Sequence, residues 1–100
     1  ENLKEIPFAR PYLNKPKNEY ARDWGKQYNW KGVDSVVQFK NSKGLTGYRA
    51  KYKDVRGATP FDHVFFEVPG RSELVIWMSG KLLDQATFDA IVDSVSWNNE

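Results

Sequence analysis

The chain has no cysteine among its 100 residues. Disulfides and thiolate chemistry are therefore excluded, and the redox compartment stays open. It has a single histidine, His63, so there is no His/Cys cluster and no His-x-x-x-His pair for zinc. A general base at His63 would need partners from elsewhere, and a surface or edge position on a strand is the simpler assignment. The stretches "GRSE" and "MSG" lack the Gly-x-Ser-x-Gly turn that presents a nucleophile. "GKLL" lacks the glycine spacing and the Ser/Thr of a phosphate loop. Asp89 and Asp93 stand four apart with no further oxygen ligand in a calcium-loop pattern, so a solvated helix face accounts for them. A non-catalytic chain is expected, with no catalytic residue, metal or cofactor. No apolar run approaches the roughly 18 residues of a membrane span. No signal peptide is visible either. A chain that begins at Glu1 without a methionine reads as a processed product or a piece of a longer protein, which leaves its compartment undetermined.

What is present supports one folded domain. Hydrophobic residues make up 40% of the chain and aromatic residues 15%, enough for a modest core and too much for a disordered segment. The net charge of +2 is unevenly spread: residues 1–57 hold 13 Lys or Arg against 6 Asp or Glu, and residues 58–100 hold 2 against 7. Such polarity can steer an anionic partner or order identical molecules head to tail. Lysines that keep strand edges apart explain it equally simply.

Residues 1–19 are expected to form an extended arm, because Pro7, Pro11 and Pro16 each remove an amide donor and push the preceding residue toward extended geometry. Residues 20–100 form the α+β domain. Tyr20, Trp24 and Tyr28 recur every four residues, which suits one face of a short helix, although Gly25 weakens it. "VDSVVQFK" (33–40) has strand composition and is followed by the turn "NSKGLTG". "YRAKYKDV" (48–55) alternates strictly, with Tyr48, Ala50 and Tyr52 on one face and Arg49, Lys51 and Lys53 on the other. After the break "RGATP", the strand "DHVFFEV" (62–68) is expected to turn Val64, Phe66 and Val68 inward and His63, Phe65 and Glu67 outward. "PGRS" is a tight turn. "ELVIWMS" (73–79) is apolar on both faces and is expected mid-sheet or covered on both sides.

The last segment predicts a helix over about 85–95, with Asp84 as N-cap and Leu83 packing on Phe88 as a hydrophobic staple. Phe88, Ile91, Val92 and Val95 form one stripe, Asp89 and Asp93 face water, and Trp97 folds back on the sheet. The fold class is therefore α+β: an antiparallel meander of about four strands with the C-terminal helix on one face. The tyrosine ridge and the helix stripe are expected to share one dry interior.

The stretch "YARDWGKQYNW" (20–30) interleaves four aromatic rings with Arg22 and Lys26. Trp24 and Trp30 suit the core, while Tyr20 and Tyr28 suit a partly wet position with hydroxyls outward. Aromatic and arginine side chains also dominate protein–protein contacts. The candidate partner-binding set is Tyr20, Arg22, Trp24, Tyr28, Arg49, Lys51 and Lys53. The cationic strand, with Lys40, Lys43 and Arg56, equally suggests a nucleic-acid or polyanion surface. Against that, Tyr48 and Tyr52 alternate away from the cations, and the RRM consensus is absent.

From "SKGLTG" through "YRAKYKDV", "HVFFEV" and "ELVIWMSG" to "FDAIVDSVSW", residues 42–97 resemble the C-terminal half of PsbP-type domains. The helix pattern apolar-x-x-apolar-x-x-Ser-apolar falls on Phe88, Ile91, Ser94 and Val95. Those domains usually run well past 100 residues, with an additional N-terminal strand pair and an early helix that the Pro-containing arm does not match. The superfamily includes an extrinsic photosystem II protein, a Ran-binding import factor and exported bacterial lipoproteins. The resemblance implies a non-catalytic accessory or assembly module, often extracytoplasmic, and carries over no site residues. The expected partner is a larger protein or a second copy.

Overall fold

A computed structural model of the chain describes residues 1–28, 30, 32–54, 57–58 and 62–97, with the backbone alone at 54 and 58. Four antiparallel strands run in the spatial order β1 (Gly32–Lys40), β2 (Thr46–Asp54), β4 (His63–Glu67), β5 (Val75–Ser79), and the two-residue β3 (Gly57–Ala58) pairs with the end of β2. Helix α1 (Lys17–Asp23) continues into a 3-10 segment, Trp24–Tyr28, and helix α2 (Gln85–Ser94) closes the chain. The fold is α+β. The expected break at 56–60 falls largely outside the described residues.

Both faces of the sheet are covered, each by its own core. On one face Tyr48, Ala50, Tyr52, Phe65 and Val75 pack against Leu3, Ala9, Tyr20, Ala21 and Trp24. On the other, Val64 and Phe66 pack against Phe88 and Val92 of α2, with Leu45 and partly buried Phe39, Ile76 and Met78 around them. The tyrosine ridge and the α2 stripe are thus separated by the thickness of the sheet, which corrects the expectation of a shared interior. The reason is visible in β4, whose two faces are both apolar or aromatic, so that each needs a cover. Phe65 and His63 face the N-terminal layer; they do not face outward.

Residues 1–19 are not a free arm. Leu3 and Ala9 are fully buried in the first core, and the Leu3 amide donates to the Glu73 carbonyl while the Val75 amide donates to the Glu1 carbonyl. Pro11 and Pro16 start helices here, while Pro7 lies in a turn. Pro11 lies in the first turn of the 3-10 helix Arg10–Tyr12 and Pro16 is the N-cap of α1, positions where a missing N–H costs nothing. β5 lies at the edge of the sheet, not in its middle, yet both its faces take part in packing, Val75 in the first core and Ile76 and Met78 against the second; the N-terminal residues extend its start through the Asn2–Leu74 bridge.

α2 has the expected ends. Asp84 accepts from the Thr87 amide at 2.9 Å. Phe88 and Val92 are buried, each contributing about 1.5–3 kcal/mol through removal from water. Leu83, the residue expected before the cap, and Ile91 of the expected stripe stay exposed. Asp89 and Asp93 do not simply face water. Asp89 accepts from Arg49 at 2.9 Å, and Asp93 takes both the amide and the hydroxyl of Ser42. Beside them the buried Asn41 donates to the carbonyls of Val92 and Val95, and its own carbonyl accepts from the amides of Lys43 and Leu45. This one side chain ties the β1–β2 turn to the end of α2.

Candidate aromatic docking site

The first core opens to the surface as a cluster of rings built from three parts of the chain. α1 and its 3-10 extension bring Trp24 and Tyr28, β2 brings Tyr52, and β4 and β5 bring His63 and Trp77. Trp24 is the hub: its ring stacks on Trp77 at 5.3 Å and 28°, and lies 5.0 Å from Tyr28 and 5.0 Å from His63. Trp30 lies edge-on to Trp24 and 5.4 Å from Tyr52. Gly25 makes room for this, since a Cβ there would sit 2.8 Å from Trp30 and 3.0 Å from Tyr52. The floor is dry and the rim is not. Tyr28 is 54% exposed and Trp77 39% exposed.

His63 is the polar member of the floor, only 3% exposed, which corrects the expected surface or edge position. Burial lowers its pKa to about 4, against an opposing effect of Asp62. The indole N–H of Trp77 donates to His63 Nδ1 at 3.3 Å, an interaction that requires Nδ1 to be unprotonated. The neutral imidazole therefore fixes the orientation of the half-exposed Trp77 ring.

The sequence-derived candidates divide between the faces. Tyr20 is fully buried rather than partly wet, its hydroxyl donating to Glu1 at 2.9 Å, and burial raises its pKa. Trp24 is in the core, as its spacing suggested, and is unavailable to a partner except through the rings it supports. Tyr28 is exposed. Arg22 is exposed and donates to Asp23; it lines a separate groove with Val33, Ser35 and Val36 of β1. Asp23 is held well below the usual carboxylate range chiefly by that Arg22 bond.

Arg49, Lys51 and Lys53 lie on the opposite, α2-side face of the sheet. Arg49 bridges Asp62 at 2.7 Å and Asp89 at 2.9 Å, with its guanidinium over the rings of Phe39 and Phe88. Lys51 pairs with Asp62 and Lys53 with Asp34. Arg56 is outside the described residues. The structure thus joins Tyr28 and Trp24 to a single cluster and leaves the cationic strand apart from them. Trp77 and His63 were absent from the sequence-derived set. The parity of β5, which puts Trp77 and Val75 on one face, was the signal that could have placed Trp77 there.

Among the described residues no group of three or more His, Asp or Glu side chains could hold a metal ion, and no helix is long and apolar enough to cross a membrane. No family model, curated protein or solved structure matches the chain.

Proposed function

We propose that the protein is a non-catalytic accessory module that docks a larger protein partner on the aromatic rim formed by Tyr28, Trp30 and Trp77. The observation that carries this is the half-exposed Trp77 ring, stacked on buried Trp24 and held by His63. Rings immobilised before binding offer large contact area at little entropic cost, which is the property of interface anchors. Lys26, two residues before Tyr28 and already paired with Asp23, suits a polar border around an apolar centre. The resemblance of residues 42–97 to PsbP-type domains supports the same class of work.

The polyanion alternative draws less support. Arg49, Lys51 and Lys53 of its cationic strand are paired to carboxylates and lie on the face opposite the exposed rings, so with these residues phosphate neutralisation and base stacking would have to occur on two sides of the sheet. The experiment is to compare the native mass of the assembly containing the protein, in its own cells, with that of the Tyr28→Ala and Trp77→Ala variants. Val37→Ala, an exposed apolar position on the other face, is the control. Loss of the larger species in the two rim variants alone is expected; an unchanged mass, with retention on a polyanion column at physiological salt, would overturn the assignment in favour of the alternative.

A further inference from the structure

A second site lies away from the aromatic rim, where the start of α1 meets the β1–β2 and β4–β5 turns. An open groove of about 520 Å³ runs there. Leu45, Val68 and Leu74 give it apolar walls, Lys15 and Arg71 stand at its edge, and Lys17 and Glu67 line it from within. Lys17 is unusual for a lysine, being only 8% exposed. Its ammonium makes one long hydrogen bond, 3.5 Å to the Tyr12 carbonyl, and has two further donors to place. Burial lowers its pKa, with Glu67 opposing. Glu67, which lines the same space, also accepts a hydrogen bond from the Tyr48 hydroxyl. Arg71, a second cation beside the groove, is engaged by Glu73 at 2.7 Å.

We infer that this groove binds a monocarboxylate with a short apolar body, the carboxylate on Lys17 Nζ and the body along Leu45, Val68 and Leu74. A lysine with a buried stem and a part-buried ammonium that makes one long hydrogen bond is stabilised most by a charge-assisted partner. The apolar walls select a ligand with a hydrocarbon portion. Glu67, lining the same space, repels a second negative charge, so a carboxylate is favoured over a phosphate dianion. A free carboxylic acid and the C-terminal carboxylate of a peptide share this chemistry.

The test is an NMR titration of the whole chain, following the Lys17 side chain and the methyl groups of Leu45 and Val68. Hexanoate should shift all three saturably, while hexanol and inorganic phosphate should not. Lys17→Met, which keeps the hydrocarbon stem, should abolish saturable binding. If that variant fails to fold, the contrast between hexanoate and hexanol on the unaltered protein decides alone. Equal shifts with hexanol, tighter binding of phosphate, or no response to hexanoate would overturn the inference. Tighter binding of a short peptide with a free C-terminus than of the same peptide amidated would support it and identify a peptide end as the source. Equal weak binding of both peptides beside tight hexanoate would support it with a free acid as the source.

Discussion

His63 makes the stability of this protein depend on pH in a region where few other groups titrate. Its pKa falls from an ordinary 6.5 to about 4 because the aromatic box excludes water from the imidazolium. Between those two values the unfolded chain binds a proton that the folded chain refuses, so folding stability must rise with pH and fall as the solution is acidified. Linkage over pH 7 to pH 5 gives a ceiling of about 2 kcal/mol for this one group, and screening through the half-open rim reduces it to about 1–2 kcal/mol. His63→Phe places a ring of similar size in the box without the titrating nitrogens, and the Trp77 N–H, at the half-exposed rim, can turn to water. Urea unfolding of both proteins at pH 7 and pH 5 isolates the effect. The unaltered protein should lose about 1–2 kcal/mol more than the variant over that interval. Parallel losses in the two proteins would refute the assignment of a buried neutral imidazole. In the folded protein His63 takes up its proton only near pH 4, and this breaks the Trp77–His63 bond, so native tryptophan fluorescence should change there, at the acid end of the stability loss.

Three further outcomes follow from the packing. Asn41→Ala removes two donors to the end of α2 and two acceptor contacts to the β1–β2 turn, among them the buried bond from the Leu45 amide; a loss of about 2–4 kcal/mol in denaturant unfolding is expected. Gly47→Ala puts a Cβ 2.8 Å from the Phe39 ring and 3.0 Å from Phe66, so thermal unfolding should report a destabilisation of about 1–3 kcal/mol. Arg49→Met leaves the nearly buried Asp62 carboxylate with Lys51 at 3.8 Å and the Gln85 side-chain amide at 3.3 Å as its remaining partners. It should cost about 2–3 kcal/mol, and adding Asp62→Asn should recover part of that in a double-mutant cycle.

The strands and the closing helix were legible because their signals are local. The alternation of Tyr48 to Lys53, the turn at Pro69–Gly70 and the cap at Asp84 each specify geometry within a few residues. The opening third was not legible in this way. Pro11 and Pro16 discourage a helix interior but permit a helix start, and only the burial of Leu3 and Ala9 decides which role they play. The two-sided cover of β4 was written in "HVFFEV", where His63 and Phe65 alternate with Val64 and Phe66. Choosing one face as the interior hid the second core. β1 carries a bulge between Val33 and Ser35, which shifts its side-chain parity and defeats a simple period-two pattern. As for the candidate site, Tyr28 and Trp24 stood out as neighbours in sequence, whereas Trp77 and His63 join them only through the β4–β5 pairing.

The docking proposal is tested most directly by a photo-crosslinking side chain placed at Tyr28 in the native setting, with the same side chain at Thr87 on the exposed part of α2 as the comparison. One discrete protein adduct from position 28, lost when Trp77→Ala is added and missing from position 87, is the predicted result. No adduct at position 28, or the same adducts from both positions, would contradict it.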